Sequence, residues 1–238
     1  MELLMMQHQE HNDNYDSMEI AITVDDLPRH GDTVGSYDRH TIAKEFLQSF
    51  QKHNLNSVTG FVNGMHLAKY PQDELILRLW VEAGNFLGNH TYSHPDFSKV
   101  SIPEYISDIE KNEPIIYRHQ CTSDVFRYPY LAAGETEHKQ RVIKQYLKEK
   151  NYTIAPVTVD FFDFLWNTPV CKSIVNKDSK SLETLKKLYV ESAIEKIKFA
   201  RFLLYQNIHR CFAVSSTPTF CDENSLVNRL ANQLLLSN

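Results

Sequence analysis

Two carboxylates stand side by side in residues 21–28, AITVDDLP, where Asp25 and Asp26 follow a run that is typical of a buried strand. Adjacent carboxylates repel each other unless a cation or a proton lies between them. The pair could hold a metal ion, but a helix cap with a solvated neighbour would also explain it. The pair alone therefore leaves a metal site and an ordinary loop open.

Two histidines, His90 and His94, stand four residues apart in residues 88–95, GNHTYSHP. If this segment is helical, the two side chains share one face, and that spacing can place two imidazoles on one zinc ion. An HxxxH pattern alone is a weak signal, because histidines at this spacing also occur without a metal. The pair becomes informative only together with other ligands.

Two further segments have polar residues among apolar ones. Arg127 ends a strand-like run and precedes Tyr130 by three residues, and Asp160 and Asp163 lie three apart among aromatic residues that include Trp166. A salt bridge at a barrel mouth would explain the arginine. Surface acids on a loop anchored by buried rings would explain the second segment.

Apolar, β-rich runs alternate with helical patterns along the chain. Strands are predicted at 19–24, 57–63, 85–89, 124–127, 152–159 and 210–214, and helices at about 39–53, 72–83, 102–119, 137–150 and 180–206. This alternation predicts βα units and a parallel sheet or barrel in one domain. Functional groups in such folds gather at the carboxyl ends of the strands, which is where all four polar segments fall.

The four segments together point to a catalytic metal site. One Asp and two His form a ligand set that leaves positions open for water and substrate, as catalytic zinc sites do. A second carboxylate beside the metal, without binding it, is what a general base requires. Four independent coincidences would otherwise have to fall at successive strand ends.

Composition excludes several classes of function for this 238-residue chain. Its 25 basic and 30 acidic residues give a net charge of −5, which provides no basic field for nucleic acid or an anionic membrane. No run of 18 apolar residues predicts a membrane span. We expect a disordered leader over residues 1–17 and free cysteines. We also expect a cytoplasmic location for the sequence as written, since no signal-peptide pattern is present, with an unseen upstream signal left open.

In this order, the four segments resemble the motifs of the polysaccharide deacetylase family with its NodB-homology domain, carbohydrate esterase family 4. TVDD at 23–26, HTYSH at 90–94, RYPY at 127–130 and DFFDFLW at 160–166 are similar to its first four motifs. The resemblance covers about residues 19–167. It implies an α/β fold, a distorted and incomplete (β/α) barrel, formed as a single domain by residues 18–238.

The resemblance also implies a reaction, the hydrolytic removal of N-acetyl groups from a glycan that contains N-acetylglucosamine. This is hydrolysis of a carbon–nitrogen bond that is not a peptide bond. Asp26, His90 and His94 would hold a divalent metal, most often zinc. Asp25 would act as general base on the attacking water, and Arg127 would hold Asp25 in place and keep it ionised.

Four other residues receive roles from the same resemblance. The backbone N–H of Tyr130 would help to stabilise the oxyanion, with Tyr130 also at the substrate. Asp163 would orient its neighbours, Trp166 would line the pocket, and Asp160 would reach the substrate. The family often has Trp after the acid of the fourth motif, where this chain has Phe164.

The fifth motif of the family, Leu-x-His, is missing at its expected place. Residues 211–214, CFAV, run into Ser215 and Ser216, and His209 lies upstream of the predicted strand. We therefore expect the segment after about residue 207 to be degenerate, truncated or read in a shifted frame. Solvent or His30 would have to protonate the leaving amine.

Three interpretations follow from this departure. The chain is an active N-deacetylase with another acid, a catalytically impaired protein that binds metal and glycan, or a metal-dependent hydrolase of another acyl group. The sequence leaves the preferred glycan, the metal and the oligomeric state open.

Overall fold

The computed structural model describes residues 20–31, 34, 37–119, 124–160 and 162–212, with side chains to Phe202. Ile22–Ser215 form one compact unit, which holds every element named below. The second unit, Met1–Ala21 with Ser216–Asn238, lies almost wholly outside the described residues. The predicted leader over residues 1–17 and the end of the predicted strand 210–214 also lie outside them.

Five parallel strands form one sheet, and they lie side by side in chain order. They are β1 (Thr23–Leu27), β2 (Thr59–Val62), β3 (Phe86–Asn89), β4 (Val125–Phe126) and β5 (Thr153–Ile154). A doubly wound sheet reverses its strand order, whereas a singly wound order is that of a (β/α) barrel. The predicted α/β class and incomplete barrel are confirmed, with five strands among the described residues.

The helices are α1 (Arg39–Lys52), α2 (Met65–Lys69), α3 (Glu74–Glu82), α4 (Ile102–Tyr117), α5 (Glu137–Glu149), α6 (Phe164–Val175) and α7 (Ser179–Phe212). The sequence predicted five of them and missed α2 and α6, because a five-residue helix shows little periodicity and α6 is apolar on most sides. No described helix is both long enough and apolar enough to span a membrane.

The predicted strand 210–214 is wrong over its first three residues, which continue α7. A strand-like apolar run does not end a helix by itself, and the chain has neither glycine nor proline between Pro169 and Pro218. The predicted strand 152–159 is also too long, since β5 ends at Ile154.

The register aligns the carboxyl ends of the strands. One row of paired residues crosses the whole sheet and consists of Leu27, Val62, Asn89, Phe126 and Ile154. The residues that follow this row are therefore neighbours at one edge of the sheet. Asn63, His90 and Arg127 are among them, which places residues distant in sequence beside one another.

Apolar side chains pack in two clusters against the sheet. One joins β1–β3 to α1, α3 and α4, and Trp80 at its centre is fully buried and donates from Nε1 to the carbonyl of Val58 at 3.2 Å. The other joins β4 to α4 and α5 around Phe126 and Ile109. A Cβ at Gly60 would overlap the buried side chain of Leu27 and press on the ring of Trp80, so these two side chains pack over β2 where residue 60 has no side chain.

Leu77→Ala should destabilise the chain by about 2–5 kcal/mol, because it leaves a cavity at a fully buried position. Leu75→Ala on the same helix is the control, since Leu75 is 36% exposed and should cost less than about 1 kcal/mol. Urea denaturation of both variants measures the difference. Equal losses would contradict this placement of the core.

Candidate metal centre and active site

The two adjacent aspartates lie on the same side of the sheet edge. Neighbouring residues of a regular strand point to opposite faces. Here the ladder between β1 and β2 shifts register between Val24 and Leu27, and Asp26 has a φ of 63°. The bulge re-aims the side chains, as bulges do near functional sites. His90 Nε2 consequently lies 4.0 Å from Asp25 Oδ2 and 3.7 Å from Asp26 Oδ1.

Neither aspartate caps the helix that follows. Asp38 does so, with Oδ1 accepting from the backbone N–H of Thr41 at 2.7 Å. The explanation of the Asp25–Asp26 pair as a helix cap is therefore wrong.

The two histidines follow β3, and the segment between them is a loop. The helix considered from the HxxxH spacing does not form, since residues 90–94 have no helical assignment. Thr91 and His94 instead adopt left-handed backbone, with φ values of 64° and 57°. This loop brings the two imidazole rings to a centroid distance of 4.9 Å.

His90 is buried, and its orientation is set by one hydrogen bond. Its Nδ1 lies 2.8 Å from the carbonyl oxygen of Arg127. A carbonyl only accepts, so Nδ1 donates and the lone pair of Nε2 faces the aspartates. Burial lowers the pKa of His90 against the opposing charges of Asp25 and Asp26. The neutral imidazole, which is the form that binds metal, is thereby favoured.

Asp26, His90 and His94 fit a single metal ion. His94 Nε2 and His90 Nε2 lie 3.4 Å and 3.7 Å from Asp26 Oδ1, and the three ligand atoms lie within 4.8 Å of one another. Two ligands each about 2.0–2.1 Å from a tetrahedral zinc are about 3.4 Å apart. Three protein ligands leave a position open, as at catalytic sites. The structure thus brings together the three residues that the sequence proposed as ligands.

The second oxygen of Asp26 has a separate partner. His30 Nδ1 lies 3.0 Å from Asp26 Oδ2, and this hydrogen bond raises the pKa of His30. Burial pushes the pKa of Asp26 up, but the bond from His30 and the charges of His90 and His94 outweigh it and leave that pKa lowered. Oδ1 therefore faces His90 and His94 while Oδ2 is held from the other side.

Asp25 is held by Arg127. The guanidinium Nη1 donates to Asp25 Oδ1 at 2.6 Å and to Thr23 Oγ1 at 2.7 Å. Arg127 is 4% exposed, and its guanidinium stacks over the Phe61 ring at 4.1 Å. A buried arginine needs a paired charge. The predicted pairing of Arg127 with Asp25 is present in the structure.

Tyr130 lies at the rim of this cluster. It is 67% exposed, and its ring meets the ring of His94 edge-on at 4.5 Å. Its backbone is left-handed, with a φ of 56°. Tyr130 is therefore placed to touch a molecule that approaches the three ligands.

The fourth segment follows a loop after β5 and not the end of a strand. Asp160 Oδ1 accepts from the backbone N–H of Phe162 at 2.8 Å, and Asp163 stands at the start of α6. Burial raises the pKa of Asp163, and the charges of Asp160 and Asp25 add to this effect. Trp166 packs edge-on against Tyr189 of α7, at 5.9 Å.

Sequence reasoning missed the polar residues behind the histidines. Asn63, Asn89 and Asn112 are 2% exposed or less, and all three take part in hydrogen bonds close to residues 90–94. An asparagine directly after an apolar strand, as Asn63 is after β2, was the available signal.

The sequence profile of the family described as polysaccharide deacetylase matches residues 12–155 of the chain, more than half of it. The chain belongs to the polysaccharide deacetylase family. The match includes Asp25, Asp26, both histidines of the loop and Arg127. It ends before the fourth segment, so the roles of Asp160, Asp163 and Trp166 rest on the resemblance of that segment alone.

Two curated relatives show how far the likeness of this family member extends. It is 31% identical over 163 residues to a peptidoglycan-N-acetylglucosamine deacetylase of Bacillus cereus. The aligned region covers 68% of the chain and 51% of the relative. It is 29% identical over 154 residues to a chitin deacetylase of Arthroderma benhamiae, and this aligned region covers 63% of the chain and 36% of the relative. The chain thus spans about half or less of the length of these relatives.

Solved structures support the fold of this polysaccharide deacetylase family member. A family 4 carbohydrate esterase from Streptomyces lividans, in complex with acetate, matches with a TM-score of 0.52 and 19% identity, over 92% of the chain and 89% of its own length. The chitin deacetylase of Colletotrichum lindemuthianum matches with a TM-score of 0.50 and 22% identity, over 67% and 65%.

His94→Ala should weaken zinc binding at the candidate centre more than about 100-fold, because it removes one of the three candidate ligands. Loss of a residue that only supports a ligand typically costs about 10–100-fold in metal affinity. His53→Ala, which removes a histidine at the end of α1, should leave it unchanged. Competition with a chromophoric chelator measures both affinities. Equal affinity in the two variants would contradict the ligand assignment.

The pair of His30 and Asp26 should stabilise the metal-free chain over a limited range of pH. Because the folded pKa of His30 is raised above 6.5, its contribution is complete below that pH and is lost as pH rises through the raised value. The lowered pKa of Asp26 means that its contribution is lost as pH falls below 3.8.

His30→Gln should therefore lower the free energy of unfolding by up to about 1 kcal/mol near pH 6 and by almost nothing near pH 9, since the side chain of His30 is 63% exposed. Urea denaturation in the presence of a chelator at both pH values measures this. A loss of the same size at both values would show that the ion pair is not its cause.

Proposed function

We propose that this polysaccharide deacetylase family member is a metal-dependent hydrolase that removes N-acetyl groups from a glycan containing N-acetylglucosamine. The observation that supports this best is the division of labour between two adjacent carboxylates. Asp26 Oδ1 lies 3.7 Å and 3.4 Å from Nε2 of His90 and His94, close to the spacing of two ligands on one metal ion. Asp25, in contrast, is held by a buried arginine. The relatives named for peptidoglycan and chitin indicate the class of substrate.

Asp26, His90 and His94 would hold the cation, with zinc favoured by the nitrogen and oxygen ligands. When bound, a divalent cation supplies a Lewis acid and lowers the pKa of water. In the neutral imidazole of His90, the bond from Nδ1 leaves Nε2 without a proton, and the bond from His30 keeps Oδ1 of Asp26 turned towards the histidines. The chain therefore presents a ligand set that needs little rearrangement.

Asp25 is proposed as the general base. Its Oδ1 is taken up by Arg127, while Oδ2 faces the cluster and lies 4.0 Å from His90 Nε2. Oδ2 can thus accept the proton of the water that attacks the acetamide carbonyl. Arg127 prevents the side chain from turning and compensates its charge.

The remaining roles concern the substrate and the leaving group. The backbone N–H of Tyr130 would donate to the oxyanion, and the exposed ring of Tyr130 would contact the sugar. Asp160 and Trp166 would contribute to the substrate site, and Asp163 would orient its neighbours. His30 would protonate the departing amine, since it contacts Asp26 without being one of the three proposed ligands.

A second candidate function is favoured by the missing Leu-x-His. Without a general acid, departure of the amine would be slower by about 10²–10⁴-fold. The chain would then bind metal and glycan with little or no turnover. A third candidate is hydrolysis of a different acyl group, such as an O-acetyl ester, because an alkoxide departs from the tetrahedral intermediate more readily than an amine that has not been protonated.

Acetate release from N-acetylglucosamine oligomers and from peptidoglycan, with added zinc or cobalt, tests the proposal. Asp25→Asn should lower the rate by about 10²–10⁴-fold, because it removes the base, while metal binding persists. Glu183→Gln on α7 is the matched control, since it neutralises an exposed carboxylate on a helix that contributes none of the proposed site residues, and its rate should be unchanged.

The outcomes separate the three candidates. About one metal ion per chain with no acetate from any glycan would favour the impaired protein. Acetate from O-acetyl esters but not from acetamides would favour the third candidate. A chain that binds no metal and releases no acetate would contradict the proposal altogether.

A further inference from the structure

The two histidines of the candidate metal centre stand on a loop that its own backbone does not stabilise. Residues 90–94 form no helix, and both Thr91 and His94 have left-handed backbone. Left-handed conformations are unfavourable for residues other than glycine and persist only where surrounding contacts fix them. The contacts of this loop therefore decide where the imidazoles stand.

Buried amides fix the first half of the loop. Asn63 donates from Nδ2 to the carbonyl oxygens of His90, at 2.6 Å, and Thr91, at 3.0 Å. Asn89 accepts at Oδ1 from the backbone N–H of Thr91 at 2.9 Å and from Asn112 of α4 at 3.0 Å. Because these amides are buried, their hydrogen bonds do not compete with water.

Asp108 of α4 makes most of the hydrogen bonds that fix the second half, beside a bond from the N–H of Met65 to the carbonyl of Tyr92 at 3.0 Å. Its Oδ2 accepts from the backbone N–H of Ser93 and its Oδ1 from Ser93 Oγ, both at 2.8 Å. Its backbone carbonyl accepts from the N–H of Tyr92 at 3.0 Å. Lys111, one turn further along α4, lies 3.9 Å from the centroid of the Tyr92 ring. Three hydrogen bonds thus tie α4 to the two residues that directly precede His94.

We propose that Asp108 is a positioning residue that sets the metal affinity of the centre by fixing the loop before His94. The inference rests on the proposed metal site. His90 has its own restraint, because its Nδ1 is bonded to the carbonyl of Arg127. His94 is bonded through its backbone N–H to Thr91 Oγ1, within the same loop. Its Nε2 therefore follows the loop when the loop moves.

If Asp108 served only the stability of the fold, its removal would lower that stability without changing the metal affinity of the folded chain. The contacts between Asp108 and Ser93 lie at the surface, outside both apolar clusters. Their removal should leave the fold intact and loosen the loop at Ser93, directly before His94. Hydrogen-bond partners behind metal ligands typically change metal affinity by 10–100-fold when they are removed.

The test compares Asp108→Ala with Asp108→Asn in the full chain. Both variants lose the carboxylate charge, but asparagine keeps an oxygen that can accept from Ser93, so any difference between them reports the hydrogen bond. Zinc affinity should fall about 10–100-fold in Asp108→Ala and less in Asp108→Asn. Ser107→Ala, at an exposed neighbour on α4, is the control and should bind zinc as the unaltered chain does.

Two further readouts accompany the affinities. The visible absorption of bound cobalt should change in Asp108→Ala, because it reports the coordination geometry. The melting temperature of the metal-free chain should stay close to that of the control. An altered cobalt spectrum with an unaltered melting temperature is the result expected of a positioning residue.

Each other outcome counts against the inference. If the unaltered chain binds neither zinc nor cobalt, the proposed metal site fails and this inference with it. If the unaltered chain binds zinc and Asp108→Ala binds it as tightly as the control, the inference alone is overturned. Should Asp108→Ala not fold, Asp108→Asn and Ser93→Ala decide, and unchanged affinity in both would overturn the inference.

Discussion

The repulsion between the adjacent carboxylates of Asp25 and Asp26 is the constraint on which the rest of the site depends. Both acids face His90, so each needs its own counter-charge or proton donor. Arg127, directly after β4, holds Asp25, and His30, in the loop after β1, holds Oδ2 of Asp26. Oδ1 of Asp26 remains for His90 and His94, which is why the cluster fits a cation.

The sheet makes these partnerships possible through its register. Because β1 to β4 end on one row of paired residues, Asp25 and Asp26, directly before the end of β1, become neighbours of the residues that follow β3 and β4, although up to about a hundred positions separate them. The bulge in β1 then breaks the alternation of the strand and turns both acids to one side. A regular strand would have sent one of them to the opposite face.

Helix α4 links the stability of the fold to the geometry of the site. Its apolar side packs in both core clusters through residues such as Ile109 and Ile116, while Asp108 and Asn112 on the same helix hold the loop of the histidines. The candidate metal ligands are therefore supported by an element that contributes no candidate ligand itself. The two left-handed residues of the loop are tolerable because these hydrogen bonds fix them.

The sequence by itself determined the α/β class, five of the seven described helices and the set of residues that could bind a metal, because periodicity and residue chemistry are local properties. It left helix geometry open for His90 and His94, where the structure has a loop, and it predicted a strand over residues 210–214, of which the first three residues continue α7. The tertiary structure alone decided that Asp25 and Asp26 share one side, that His30 holds Asp26, and that Asn63 and Asp108 hold the loop. Each of these depends on strand register, a bulge or contacts between distant segments, which no local pattern encodes.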